Sequence, residues 1–260
     1  MRFSVIVVSL NAGEELKKTV ESVLCQSYGD FEILVKDGGS TDGSLERLPR
    51  DERLRVVVRK DRSLYDAMNQ AVRRARGDYF LFLNCGDYLY DGTVLARTAA
   101  ALLKNPADIL YGDLYRRALD STDTAPAAIT DFVCYRNVPC HQVCFYARHL
   151  FGLRGYRLRF HVRADYEHFL YCIYREGAKC VKLPFTVSSY QGGGFSETEE
   201  HRAAAKKEHA LITRHYLGRK VFLYRLLMLL TLQPLREKLA ESPKFSAAYH
   251  KVKKTLYGGK

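Results

Sequence analysis

The stretch Tyr79 to Asp87, YFLFLNCGD, limits what this chain can fold into more than any other. An apolar run bounded by polar Asp78 and Asn84 predicts a strand buried on both faces, and Asn84, Gly86 and Asp87 then end it with turn chemistry. Open α/β sheets hold their ligands at such strand ends. A carboxylate there, beside a glycine that lets a ligand approach the backbone, suits a hard divalent cation bridging to phosphate oxygens. It equally suits a plain polar turn after a core strand, so the rest of the chain has to decide.

The neighbouring segments read as alternating strands and helices. Phe3 to Asn11 is a β-branched run closed by polar residues and Gly13, and Glu14 to Gln26 places Leu16, Val20, Val23 and Leu24 on one helical face. Phe31 to Lys36 predicts a second strand, followed by the loop Asp37 to Gly43, and Leu54 to Lys60 predicts a third. Ser63 is suited to cap a helix running to about Ala75, with Tyr65, Asp66 and Asn69 in its first two turns and Gly77 beyond its end. This alternation predicts a parallel sheet with helices on both faces. Farther on, Val94 to Lys104 reads as a helix, Ala107 to Tyr115 as a strand, and Arg116 to Asp131 as a polar excursion. His141 to Arg148 reads as a strand, and Ala164 to Gly177 as a helix with Phe169, Leu170, Ile173 and Tyr174 inward. The segment Lys179 to Ser196 runs into Gly192 to Gly194, read as a mobile loop. Beyond Glu197 the chain reads as basic helix, broken near Pro234 and Pro243.

With 260 residues, 47% of them hydrophobic, the chain can bury one large core. Met1 to Leu10 enters a strand pattern directly, without the basic lead and cleavage site of an export signal, which predicts a cytoplasmic protein. Seven cysteines at irregular spacing, with no CxxC pair, predict reduced and mostly buried thiols. The net charge of +12 is concentrated in one place: residues 202–260 carry 14 Lys/Arg against 3 Asp/Glu, while the remainder is close to neutral. That distribution argues against a nucleic-acid binder and for a catalytic or binding domain with a cationic docking element.

Three stretches taken in order, VIVVSLNAGEELKKTVESVLCQSYGDFEILVKDGGSTDGS, SLYDAMNQAVRRARGDYFLFLNCGD and RADYEHFL, resemble successive motifs of the family 2 glycosyltransferases with the GT-A fold. The resemblance spans roughly residues 3–196 and is strongest to the branch that builds bacterial surface polysaccharides of the colanic acid type. It implies an α/β fold: a single GT-A (Rossmann-like) domain over 1–200, its mostly parallel central sheet flanked by helices. Residues 1–115 are then the nucleotide-sugar-binding half, 116–200 the acceptor-binding half, and 201–260 a basic amphipathic helical extension.

What the resemblance implies for the site can be stated residue by residue. Ser9, Asn11, Asp37 and Asp42 map onto the positions that hold the nucleotide base and ribose, with an ordinary turn role open for Asp42. Asp61 helps hold the nucleotide or its loop, and Asn69 braces backbone near the donor sugar. The metal motif reads Asn84, Cys85, Gly86, Asp87, so Asp87 is the implied ligand of Mn²⁺ or Mg²⁺, Asn84 stands where a second acidic residue is usual, and diphosphate oxygens and water complete the shell. Asp165 is the implied general base of an inverting transfer, in ADYE where similar enzymes carry an acidic pair and this chain has Ala164 first; Glu167 is the fallback. His141 is implied at the acceptor or at the leaving diphosphate, with a buried structural histidine as the alternative.

The apolar run Val221 to Leu232, interrupted by Arg225, is shorter than the ~20 residues a spanning helix needs. Flanked by Arg214, Arg219, Lys220, Arg236 and Lys238, it predicts an interfacial helix on anionic lipid, which would place the protein on the inner face of the membrane beside a lipid-linked glycan acceptor. A homodimer surface is the alternative. Two other functions remain open on the residues: a nucleotidyltransferase, for which LNAGEELKK is a poor phosphate loop, and a non-catalytic basic nucleic-acid-binding protein.

Overall fold

The computed structural model describes residues 2–152, 154–192 and 198–230. It divides into two units, Met1–Ile212 and Thr213–Lys260. The first unit begins with β1 (Phe3–Ser9), α1 (Glu14–Leu24), β2 (Phe31–Asp37), β3 (Leu54–Val58), α2 (Leu64–Val72) and β4 (Tyr79–Asn84). It continues through β5 (Tyr88–Leu89), α3 (Val94–Lys104), β6 (Ile109–Arg116), β7 (Ser121–Asp123), α4 (Asp131–Arg136), β8 (Cys144–Ala147), α5 (Ala164–Tyr174) and β9 (Cys180–Tyr190). Helix α6 spans Glu199–Leu217 and α7 spans Lys220–Leu230.

Strands β1 and β2 are buried at every position, as expected for parallel strands covered on both faces. The sheet runs in the order β3-β2-β1-β4-β8-β6-β9-β5, with β7 beside β6. Strands β3, β2, β1 and β4 are mutually parallel, β8 runs against both β4 and β6, and β9 is parallel to β6. The sheet is therefore mixed and mostly parallel, in agreement with the expected fold class. In the shared register Val8 lies between Lys36 and Asn84, and Ser9 lies beside Asp37, so one edge of the sheet collects the ends of three strands.

Three features differ from the sequence expectation. The segment expected to lead into a glycine loop is β9, an eleven-residue strand; an internal Pro184 and a register shift opposite Tyr111 to Leu114 hide its alternation. Gly192 is described, whereas Gly193 and Gly194 lie outside the described residues. The strand expected over His141 to Arg148 begins as a tight 3-10 turn, His141–Val143, before β8. Helix α5 buries Phe169 and Leu170 fully, but Ile173 and Tyr174 only in part. Ala205, Glu208 and Ile212 of α6 are buried, and the first unit includes them, continuing to Ile212. The expected breaks at Pro234 and Pro243 lie outside the described residues.

Beneath the sheet, the buried Glu32 carboxylate accepts from Ser4 Oγ at 2.7 Å and from Arg55 Nη1 at 2.6 Å. Gly77 donates to the same Ser4 hydroxyl at 2.7 Å. A Cβ on Gly77 would lie 2.4 Å from Ser4 N and 2.7 Å from Phe3 C, so the approach of the pre-β4 chain to β1 requires glycine. Gly77→Ala is expected to lower the unfolding free energy by about 1–3 kcal/mol in urea titration. Gly29→Ala, where nothing lies within 4 Å of the new carbon, should stay within about 0.5 kcal/mol of the parent.

Candidate active site

The ends of β1 and β2 are laced into one surface. Asp37 Oδ1 accepts from Gly39 N and Ser40 N, both at 2.7 Å, and its Oδ2 accepts from Ser40 Oγ at 2.6 Å. Asn11, at φ +48°, donates its backbone N–H to Ser40 Oγ at 2.8 Å and accepts from Thr41 N at 2.9 Å. Asp42 ties Gly13 N and Ser44 N at 2.8 and 3.0 Å. Ser9 accepts from Gly38 N through its backbone oxygen at 2.9 Å. The structure thus brings Ser9, Asn11, Asp37 and Asp42 together, with Asp42 bonded to backbone amides of the two loops. Asp61 sits at the same edge, 2.5 Å from the Nζ of fully buried Lys36.

At the end of β4, Asp87 is 3% exposed and accepts from Gln142 Nε2 at 3.1 Å. Burial raises its pKa, only partly opposed by that hydrogen bond and by the charges of His141 and Arg117. Asn84 Oδ1 is buried without a hydrogen-bond partner. An under-compensated carboxylate and an orphaned amide oxygen on one turn fit a hard divalent cation that takes its remaining oxygens from a ligand and from water. Among the described residues no cluster of three or more His, Cys, Asp or Glu forms a complete protein cage. Arg117 holds this turn from the other side: it donates to Gly86 O and, at 3.0 Å each, to Ser189 O and Oγ, and its guanidinium stacks on Tyr88 at 4.3 Å.

Asn84 also lines a pocket of about 310 Å³, together with Tyr65, His141, Arg163, Asp165 and Tyr190. A hydrogen-bonded chain crosses it. Asp165 Oδ2 lies 3.0 Å from His141 Nδ1, and His141 Nε2 lies 3.3 Å from Asn84 Nδ2. Asp165 Oδ1 accepts from Tyr65 OH at 2.8 Å. Burial alone would raise the pKa of Asp165, but the His141 hydrogen bond and charge and the Tyr65 hydroxyl outweigh it, and the net shift is downward. Asp165 is accordingly ionised at neutral pH. The His141 ring thus bridges the two groups, with Nδ1 facing the Asp165 carboxylate and Nε2 facing the Asn84 amide.

Glu167 is not on the pocket wall: it is buried and pairs with Arg154 at 2.9 and 3.1 Å, with Arg157 3.6 Å away. Two helical residues apart means about 200° around the axis, so Asp165 and Glu167 face opposite directions, and the carboxylate of Glu167 is committed to the core side. Asn69 braces backbone as expected, donating to Tyr156 O at 2.8 Å and accepting from Tyr156 N at 2.7 Å. Tyr65, Gln142 and Arg117 had no role assigned from sequence. Their neighbours in SLYDAMN and CHQVCFY carried the signal, but the partners of these side chains are distant in the chain.

Residues 4–175 match the family model described as Glycosyl transferase family 2. Over 204 residues the chain is 37% identical to a "PGL/p-HBAD biosynthesis glycosyltransferase" of Mycobacterium tuberculosis, covering 75% of this chain and 79% of that one. The fold is similar to the Pyrobaculum calidifontis mannosyltransferase PcManGT in complex with GDP-Man and Mn²⁺ (TM-score 0.64, 16% identity, 99% of this chain and 88% of that one). It is also similar to Staphylococcus aureus TarS 1–349 in complex with UDP (TM-score 0.63, 19% identity, 84% and 71%). The chain spans 43% of the longer TarS crystal structure.

The raised pKa of Asp87 means that its ionised form is less stable in the folded state than in the unfolded one, so this contribution to stability is present at low pH and lost as pH rises through the folded pKa. At neutral pH the ligand-free protein carries that cost. Asp87→Asn is therefore expected to raise the melting temperature of the ligand-free protein while removing the further rise produced by Mn²⁺ with a nucleoside diphosphate. A variant that melts lower without ligand, or that keeps the Mn²⁺ response, would contradict this account of the turn.

Proposed function

The chain belongs to glycosyl transferase family 2, and we propose that it is a metal-dependent inverting enzyme that moves a sugar from a nucleotide-diphosphate sugar to a hydroxyl of a glycan or lipid-linked glycan. Family membership sets aside the nucleotidyltransferase and nucleic-acid-binding alternatives. The observation that carries the reading is the chain Asp165–His141–Asn84, which runs from the start of α5 to the end of β4 along one pocket. Solved structures of similar fold hold UDP or GDP-Man with Mn²⁺, which supports a nucleotide-sugar donor at the β1, β2 and β4 ends. A mycobacterial relative named for PGL/p-HBAD biosynthesis and a Bacillus subtilis relative with a putative role in teichuronic acid biosynthesis support a place in the biosynthesis of a larger glycoconjugate.

In this reading Ser9, Asn11, Asp37 and Asp42 form the nucleotide wall, directly or through the loop they shape. Asp61 and Asn69 keep that wall and the Tyr156 segment in place. Asp87 and Asn84 would hold the divalent cation, which would neutralise charge on the diphosphate. Asp165 takes the proton of the acceptor hydroxyl as that oxygen forms its bond to the anomeric carbon; the bond to the nucleotide diphosphate breaks on the opposite face, and its electron pair leaves with the diphosphate. Each Asp165 oxygen keeps a lone pair beyond the hydrogen bond it already accepts, so the carboxylate can be held and remain a base. His141 and Tyr65 fix its orientation.

Asp165→Asn is expected to retain donor binding and to lower transfer by roughly 10²–10⁴, measured as release of nucleoside diphosphate in the presence of acceptor. Undiminished transfer would remove Asp165 as the base. Glu167→Gln, by contrast, is expected to act on stability: it breaks a buried ion pair and costs about 3–5 kcal/mol in denaturant unfolding, with donor affinity unchanged in the folded fraction.

The second unit supports a location on the cytoplasmic face of a membrane. On α7, Phe222 is 78% exposed and Leu223, Leu226, Leu229 and Leu230 are exposed as well, with Arg219, Lys220 and Arg225 interspersed or adjacent. Among the described residues no helix is long and apolar enough to cross a membrane. Such a segment lies in an interface, with its cations at anionic headgroups. Binding to vesicles containing anionic lipid is expected to weaken with salt and to be lost when residues 218–260 are removed. Equal binding by the shortened protein, or a change of oligomeric state alone, would favour dimerisation instead.

A further inference from the structure

Glu208 lies on α6, 8% exposed, and its carboxylate accepts three consecutive backbone N–H groups: His161 at 2.7 Å on Oε1, and Val162 at 3.1 Å and Arg163 at 2.8 Å on Oε2. These residues immediately precede α5. Its N-cap residue, Arg163, makes no side-chain capping bond, and the amides that lead into the helix are bound instead by a glutamate more than forty residues away in sequence. The loop it holds is part of the pocket: Val162 and Arg163 line it, and Val162 O and Asp165 Oδ1 share the single proton of the Tyr65 hydroxyl, each 2.8 Å from it. Asp165 itself is in the first turn of α5.

We infer that Glu208 is a positioning residue for the transfer reaction, acting through the 161–163 backbone to set the orientation of Asp165 and of the acceptor wall. The inference rests on the reading of Asp165 as the base. Charge-assisted bonds from three successive amides leave the loop one arrangement. A loop released by even about 1 Å would misplace the base, a displacement that typically costs on the order of 10²-fold in rate. The donor wall at the ends of β1 and β2 has its own lacing through Asp37, Asn11 and Asp42, and does not depend on this contact.

The test is Glu208→Gln in the full chain. The amide offers one acceptor oxygen in place of two and sets an NH₂ group against backbone donors. The expected result is a split: kcat for transfer falls about 10- to 100-fold while the KM for the nucleotide sugar stays within about two-fold. In hydrogen exchange, the amides of residues 161–163 lose protection while those of β1 and β4 keep theirs. Glu208→Asp, which keeps the charge but withdraws it by one methylene, should fall between the two and serves if the glutamine variant does not fold. Unchanged kcat with exposed 161–163 amides overturns the positioning role, as does a parallel loss of donor affinity and core protection, which would make Glu208 a general packing group. Asp165→Asn is measured alongside: full transfer in that variant overturns the base assignment, whereas an inactive Asp165→Asn beside a fully active Glu208→Gln overturns the role of Glu208.

Discussion

The carboxylate of Asp165 is the point on which the pocket depends. A desolvated carboxylate is tolerated only if its oxygens are hydrogen-bonded, and here the donors come from α2, through Tyr65, and from the turn before β8, through His141. Satisfying this one group therefore requires the starts of two helices and a 3-10 turn to meet within hydrogen-bonding distance. His141 passes the constraint on to Asn84, and so to the end of β4. The two halves expected from sequence, 1–115 and 116–200, are joined by polar bonds as well as by the sheet.

The donor edge is built by the same logic with a different result. Asp37 uses both oxygens on its own loop, and Lys36, fully buried, is neutralised by Asp61 across 2.5 Å. Buried ion pairs of this kind add little net stability, since desolvation offsets the attraction, but breaking one is costly, and they hold a loop in one arrangement. At Asp87 the compensation is incomplete: desolvation outweighs the Gln142 side-chain hydrogen bond, the Gln191 backbone hydrogen bond and the charges of His141 and Arg117, and the pKa of the buried carboxylate remains raised. The edge is rigid where the protein satisfies itself and under-satisfied at the turn after β4.

What the sequence makes legible is what is local. Helix α3 runs over Val94–Lys104 as its apolar spacing predicts, Ser63 caps α2 by accepting from Asp66 N, and β1, β2 and β4 follow their apolar runs. Motif order also placed Asn84, His141 and Asp165, which meet at one pocket. The parts that were not legible depend on partners far along the chain. Strand β9 contains Pro184 and lies where Gly112 lets it approach: a Cβ there would be 2.6 Å from Phe185 O, and no periodicity within residues 180–190 reports this. The Gly13 amide that donates to Asp42 is 29 residues away in the chain. Glu208 reads as one acidic residue in a basic helix, and its three amide donors appear only once α6 is folded against the pre-α5 loop.

The departure at Ala164 follows from packing. Position 164 is fully buried at the first residue of α5, so a carboxylate there would need a cation or several donors in the space that a methyl group now fills. Position 165, one residue and about 100° further round the helix, faces the pocket and finds Tyr65 and His141. Another step of the same size carries the chain past Tyr166, whose hydroxyl bonds Cys134 O, and the next brings Glu167 to Arg154. Of the three acidic possibilities in the motif, two directions are thus closed by the core. The helix geometry, more than the identity of the residue before it, leaves position 165 as the one in ADYE from which a carboxylate meets the pocket, and the loop anchored by Glu208 determines where that first turn begins.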